Sequence, residues 1–248
     1  MGADAKALLV LNPIVTKEWE SSVKTYVEGL VRGRRPVKVV SVQRGPATIE
    51  SYFDLGLAAA GVVHLLGTMR DELQGLAAVI INCFGDPGLS AARELADVPV
   101  LGAGESALHV AGMLGRRVSI LAIGKQKVSF QPEPRMVVWG MEGLFGSLRG
   151  TGRGVEHFVG GPSWAENDLV AAAQRAVEED GADVLVLGCT GMAGLAREVE
   201  AAVGVPVVEP LAAAVSLAEL VADTGLSHSR RLAYRGAPPK VRLWEGGV

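Results

Sequence analysis

Cysteine is almost missing from this chain. Cys83 and Cys189 are the only two in 248 residues, which excludes a disulfide scaffold. The four histidines, His64, His109, His157 and His228, are scattered and far from either cysteine in sequence, so no metal-ligand spacing is present and no metal is expected. Aromatic residues make up 5%, too few for a platform that stacks bases. The formal net charge of −3 provides no basic field for nucleic acid or an anionic membrane. No apolar stretch approaches the roughly 20 residues that span a bilayer. The opening Met1-Gly2-Ala3-Asp4-Ala5-Lys6 leads into a short strand-like run without the apolar core of a secretory signal. These absences predict a reduced, cytoplasmic protein with neither a membrane nor a nucleic acid as partner.

What is present is a strand–loop–helix grammar. Hydrophobic residues are 49% and charged residues 21%, with 32 glycines, many at apparent strand ends. That balance suits a globular chain of one or two α/β domains. Strands are predicted at Ala7–Leu11, Val37–Val42, Ala77–Asn82, Val98–Gly102, Arg117–Ile123, Val155–Val159, Ala182–Gly188 and Val205–Val208. Helices are predicted at Glu18–Arg32, Ile49–Ala60, Leu89–Leu95, Glu105–Leu114, Glu166–Asp180, Leu195–Val203 and Ala212–Thr224. Val62–Leu66 is a further short apolar run. Short all-apolar strands are covered on both faces, so the fold class is α/β with mostly parallel sheets. Lys125–Gly154 lacks a period and reads as a loop-rich connection or lid. The tail from Leu226 reads as irregular or extended chain packed on the surface.

The two cysteines occupy the same place in a repeat. Ala77-Ala-Val-Ile-Ile-Asn-Cys83 and Ala182-Asp-Val-Leu-Val-Leu-Gly-Cys189 are each followed by a glycine-bearing turn. A helix carrying Ala-Arg-Glu comes next (Ala92-Arg93-Glu94; Ala196-Arg197-Glu198), then Val98-Pro99-Val100 or Val205-Pro206-Val207. Two such units related by a pseudo-twofold would set two thiols face to face across a cleft. The carboxyl end of a parallel strand is where open α/β sheets place ligands. The helix that follows offers backbone N–H groups that favour a thiolate. A lone free cysteine is more often a small buried hydrophobe, but a matched pair in a duplicated frame points to chemistry. Two thiols with no metal and no Cys-X-X-Cys suit proton abstraction beside a carbonyl, one thiolate and one thiol on opposite faces of a carbon. A Cys–His nucleophile remains open, though it needs only one cysteine.

Other polar residues have plainer readings. Asn12 before Pro13 shapes a turn or enters the site. Asp86 in Asp-Pro-Gly reads as a turn or N-cap residue, and Glu105 as a residue favoured by a helix dipole. His109 reads as packed within its helix, and Arg230-Arg231 as part of a solvated tail.

Asn82-Cys83-Phe84-Gly85-Asp86-Pro87-Gly88-Leu89, Ala91-Ala92-Arg93-Glu94 and Leu187-Gly188-Cys189-Thr190-Gly191-Met192 resemble the two cysteine motifs of the aspartate/glutamate racemase superfamily, closest to its hydantoin racemase branch. Arg44-Gly45-Pro46-Ala47-Thr48-Ile49-Glu50-Ser51 and Leu11-Asn12-Pro13 also resemble that branch. The resemblance implies two similar Rossmann-like or flavodoxin-like α/β halves, residues 1–101 plus 208–248 and residues 102–207, with the site between them. It implies a cofactor-independent racemase of 5-substituted hydantoins or a cyclic ureide such as allantoin, with Cys83 and Cys189 as the acid/base pair. Asn12, Phe84, Gly85, Thr190, Gly191 and Met192 are implied to bind this small-molecule substrate, and a homo-oligomer is implied by analogy. An aspartate or glutamate racemase is the first alternative, and Arg44 or Lys125 could then meet a carboxylate. A superfamily decarboxylase or isomerase and a catalytically inactive binding protein are the others. The first loop departs from the family's usual Asn-Pro-Asn-Thr: Ile14 stands for a polar residue and Thr16 comes one position late, which suggests a more apolar substrate. Ala122-Ile123-Gly124-Lys125 likewise lacks the Thr-rich loop of many relatives.

Overall fold

The computed structural model describes residues 5–124, 133–155 and 163–236. The chain divides into two compact units, Met1–Gly102 with Val215–Val248, and Ala103–Ala214. The first contains β1 (Ala7–Asn12), α1 (Glu20–Val31), β2 (Val37–Ser41), α2 (Tyr52–Thr68), α3 (Arg70–Leu73), β3 (Leu76–Ile81), α4 (Leu89–Leu95) and β4 (Val100–Gly102). Its four strands lie in the order β2-β1-β3-β4, all parallel. Every residue of β1 and β3 is buried, as their unbroken apolar sequences require of strands covered on both faces. On one face Leu9, Leu11, Val79 and Ile81 pack with Val62, Leu66, Leu89 and Ala92.

The second unit contains α5 (Ala103–Leu114), β5 (Val118–Ala122), α6 (Pro134–Val138), β6 (Phe145–Gly150), α7 (Ser163–Glu178), β7 (Val184–Leu187), α8 (Ala196–Val203), β8 (Val207–Val208) and the start of α9 (Pro210–Asp223). Its strands run parallel in the order β6-β5-β7-β8. This is the same topology as the first sheet, so in each unit the cysteine follows the third strand of the unit in chain order. Leu121, Leu185 and Leu187 pack there against Leu169, Ala172, Ala173 and Ala176 of α7 and Val199 of α8.

Three sequence expectations change. Helix α2 does not stop at Ala60 but runs to Thr68 and absorbs the apolar run Val62–Leu66. Gly61, at the apparent break between them, is a contact point. A Cβ there would overlap the Arg44 carbonyl oxygen, so glycine lets the helix lie on the β2–α2 loop. Ser51 starts this helix, its Oγ accepting from the Asp54 N–H at 3.1 Å.

The region 125–154 holds α6, a 3₁₀ turn at Glu142–Leu144 and the edge strand β6. Phe-Gly-Ser-Leu-Arg-Gly has too little apolar content to announce a strand. Its polar residues are nonetheless buried: Ser147 bonds Ser119 Oγ at 2.9 Å and the Asp180 carboxylate at 2.6 Å, and Arg149 also meets Asp180. The expected strand at 155–159 lies, beyond Val155, outside the described residues. His109 is exposed rather than packed, its ring 4.9 Å from that of Trp139.

The tail is irregular chain with a turn at residues 230–234, and it clamps the first unit's edge. Arg230 Nη1 donates to the Arg93 and Tyr234 carbonyls at 2.6 and 2.7 Å. It thereby caps the Arg93 carbonyl, and at 3.2 Å that of Glu94, which the end of α4 leaves open. Arg93 in turn donates to the Val100 carbonyl at 3.1 Å. Among the described residues no helix is long and apolar enough to cross a membrane.

Candidate active site

Both cysteines stand at carboxyl ends of central strands, one residue past a position set by the neighbouring strand. Asn82 N–H donates to Leu11 O at 2.8 Å, and Gly188 N–H to Leu121 O at 2.7 Å. Gly188 is required where it is. A Cβ would come within 2.9 Å of the Leu121 oxygen and 3.1 Å of Ala122 Cα, so only glycine lets the strand end lie this close to β5.

After each strand end the chain makes the same turn. The Gly85 N–H donates to Cys83 Sγ at 3.4 Å, and the Gly191 N–H to Cys189 Sγ at 3.3 Å. The cysteine carbonyls also accept, from Asp86 N–H in the first turn and Met192 N–H in the second, both at 3.1 Å. An N–H aimed at sulfur stabilises a thiolate more than a thiol. Neither cysteine is in a disulfide and both are half-buried, so each thiol combines a prepared donor with access. Among the described residues no group of His, Cys, Asp and Glu is arranged to hold a metal ion.

Around Cys83 the polar residues form a buried array. Asn82 Nδ2 donates to Asn12 Oδ1 at 2.8 Å, and Asn12 Nδ2 donates to Ser41 Oγ at 3.4 Å. Asn12 is thus a buried residue at the tip of β1 whose amide bridges three strand ends. Ile14 is buried, and Thr16 donates to the Ala47 carbonyl at 2.8 Å. The altered first loop therefore ties itself to the β2–α2 loop. Phe84 and Gly85 are half-buried in the turn. Asp86 is buried at φ 48°, and the N-cap of α4 is Gly88. Asp86 therefore shapes the turn two residues ahead of the N-cap, its carbonyl accepting from the Leu89 N–H at 3.2 Å.

Around Cys189, Thr190 and Gly191 are half-buried. Met192 is fully buried, its side chain in the core with Leu187 and Val199. Its N–H already serves the cysteine carbonyl, so Met192 anchors the turn.

Two neighbours escaped the sequence reading. Leu55 of α2 lies against the Cys83 turn, for a Cβ on Gly85 would be 2.6 Å from Leu55 Cδ1 and 3.6 Å from Cys83 Sγ. Nothing local in the sequence announces that contact. Glu209 takes hydrogen bonds from the Cys189 loop; comparing the two Val-Pro-Val segments would have singled it out, because Gly102 holds the matching place in the first.

The family model described as Asp/Glu/Hydantoin racemase matches residues 8–218. A hydantoin racemase from Pseudomonas sp. (strain NS671) is 35% identical over 226 residues, 91% of this chain and 90% of that protein. A hydantoin racemase from Paenarthrobacter aurescens is 34% identical over 236 residues, 95% of this chain and 99% of that protein. Among solved structures, an allantoin racemase from Klebsiella pneumoniae aligns with a TM-score of 0.85 and 29% identity, covering 97% of each chain. With its duplicated cysteine turns and these likenesses over nearly its full length, the chain belongs to the Asp/Glu/hydantoin racemase family and is a racemase, an isomerase.

Proposed function

We propose that this racemase inverts the stereocentre of a 5-substituted hydantoin, or of a related cyclic ureide such as allantoin, by proton transfer between Cys83 and Cys189 without a cofactor. The observation that carries this reading is the matched pair of turns, each directing a backbone N–H at a half-buried cysteine sulfur at 3.3–3.4 Å. The names of the relatives supply the substrate class.

The ring carbon that bears the substituent lies next to a carbonyl, so removing its proton gives an enolate-like anion. One thiolate takes the proton from one face, and the thiol on the other face returns a proton. The product has inverted configuration, and the two sulfurs have exchanged protonation states. The opposite enantiomer uses the same pair in reverse. The Gly85 and Gly191 N–H groups point at the two sulfurs, where they would stabilise negative charge on the sulfur that acts as base. Amide and backbone groups of Asn12, Phe84, Gly85, Thr190 and Gly191 would hold the ring and stabilise charge developing on the carbonyl oxygen.

A neutral ring also suits the arginines. The buried Arg93 is engaged with the Val100 carbonyl and the Tyr234 hydroxyl, and the buried Arg149 with Asp180. An amino-acid substrate would ask for a cation committed to its carboxylate.

The test is proton NMR of L- and D-5-substituted hydantoins and of allantoin with the enzyme in D₂O, read beside optical rotation. Loss of the ring C–H signal together with loss of rotation supports the proposal. Absence of exchange on all of these substrates, with exchange on aspartate or glutamate, would overturn it.

A further inference from the structure

The Cys189 loop is held from behind by a carboxylate that the repeat does not share. Glu209 stands three residues after Pro206, and a single oxygen, Oε1, accepts from the Gly194 N–H at 2.7 Å and the Ala196 N–H at 3.2 Å. Those donors flank Leu195, where the cysteine loop gives way to α8, and Ala196 N–H is one of the donors that a helix start leaves open. Met192 N–H bonds Cys189 O, and Leu195 N–H bonds Met192 O at 3.2 Å. The path from Glu209 to the sulfur is therefore a short run of hydrogen-bonded turns: Glu209 to Gly194 and Ala196, Leu195 to Met192, Met192 to Cys189.

In the first unit a carboxylate also stands at this place, but it comes from the other side. Gly102 stands three residues after Pro99, the place that Glu209 holds after Pro206. A Cβ on Gly102 would lie 2.5 Å from Asp86 Oδ1. Here the carboxylate comes from the cysteine turn and the glycine from the strand end; in the second unit the glycine is in the cysteine loop and the carboxylate at the strand end. Each unit thus keeps one carboxylate beside the junction of cysteine loop and fourth strand, with space made for it by glycine on the strand side in the first unit.

We infer that Glu209 is a positioning residue for Cys189, fixing the loop so that the Gly191 N–H stays on the sulfur and the thiol keeps its place against the substrate carbon. The inference rests on the reading of Cys189 as an acid/base group. Because one oxygen accepts both bonds, geometry and charge can be separated: glutamine keeps the acceptor and removes the charge, whereas alanine removes both. Displacements near 1 Å in such arrangements cost on the order of 10²-fold in rate.

The experiment compares E209Q, E209A and E209D with wild type and Cys189→Ser, using racemisation and C–H exchange of each hydantoin enantiomer in D₂O. E209Q is expected within about threefold of wild type, and E209A to lose about 10- to 100-fold in kcat with KM moved much less. E209D, with its oxygen withdrawn by one methylene, is expected between them; it carries the test if E209A does not fold. The telling readout is asymmetry. E209A should slow exchange of one enantiomer about tenfold more than the other, and it should be the enantiomer whose exchange Cys189→Ser abolishes. General destabilisation would slow both alike. E209A and E209D at wild-type rates, or E209Q as poor as E209A, would overturn the inference. If Cys189→Ser itself exchanges both enantiomers normally, the two-thiol reading has failed instead. The brace is then judged by iodoacetamide labelling of Cys189 in a Cys83→Ser background: a rate changed by E209A and restored by E209Q supports it, and an unchanged rate rejects it.

Discussion

Arg149 grips both oxygens of Asp180, donating from Nε to Oδ2 at 2.6 Å and from Nη2 to Oδ1 at 2.7 Å. The two side chains are 7% and 2% exposed. Such a pair costs desolvation to assemble, and removing one partner leaves an unpaired buried charge. Asp180→Asn and Arg149→Met are each expected to cost about 3–5 kcal/mol, measured by urea unfolding. The double variant should lose less than the sum, as expected for residues in contact. The pH dependence has a definite sign. The hydrogen bond from Arg149, helped by Ser147, holds the Asp180 carboxyl below its ordinary value of 3.8. Its stabilisation is complete above that value and is lost as pH falls through the lower folded value. The wild-type protein should therefore lose stability more steeply than Asp180→Asn below about pH 4.

Two glycines of α2 should respond oppositely to alanine. Nothing lies within 4 Å of the place a Cβ would take on Gly56, whereas at Gly61 the Arg44 carbonyl already occupies the space. Gly56→Ala should stabilise by about 0.5–1 kcal/mol through helix propensity. At Gly61 the same gain is outweighed by a backbone clash, and overpacking of this kind costs about 1–3 kcal/mol. Thermal melts of the two variants, moving in opposite directions, check the assignment. Equal shifts would show that α2 does not lie on the loop as described.

Much of the fold was legible because β1, β3 and β7 are unbroken apolar strands, and because the repeat around Cys83 and Cys189 fixes the topology of each unit. The cysteine turns were legible for the same reason. What escaped was decided by partners distant in sequence. Ser147 and Arg149 make β6 look like a loop until Asp180, some 30 residues away, satisfies them. Gly61 looks like a helix break until the Arg44 carbonyl is seen against it. Glu209 carries no local signal; its role depends on the Gly194 N–H, 15 residues away, that meets its oxygen. The resemblance implied Met192 as a substrate contact beside Thr190 and Gly191, and its side chain fills the core.

Leu55 and Gly85 should be coupled in the first cysteine turn. A Cβ on Gly85 would stand 2.6 Å from Leu55 Cδ1 and 3.6 Å from Cys83 Sγ. The leucine methyl can move, so Gly85→Ala should lower stability by no more than about 1–2 kcal/mol. It should lower kcat more clearly, about tenfold, because the displaced turn carries the N–H that meets the sulfur. Leu55→Ala supplies the missing space, and the double variant should regain part of that rate. Losses that simply add in the double variant would show that the two side chains do not share this space.

Replacing either thiol with a hydroxyl should stop racemisation. A serine hydroxyl keeps the shape of the side chain but does not ionise near neutral pH, so it can neither start as a base nor deliver a proton as readily as a thiol. General acid–base groups contribute about 10²–10⁴-fold, and racemisation uses both. Cys83→Ser and Cys189→Ser are each expected to lose at least about 10³-fold in racemisation, with circular dichroism unchanged. Exchange in D₂O should discriminate further. Each variant retains one thiol that can take a proton from one face and release it to solvent. Cys83→Ser should still exchange one enantiomer and Cys189→Ser the other, neither with inversion. Loss of exchange for the same enantiomer in both variants would assign a single base and leave the second cysteine a structural role. Full racemisation in both single variants would sink the two-thiol mechanism altogether.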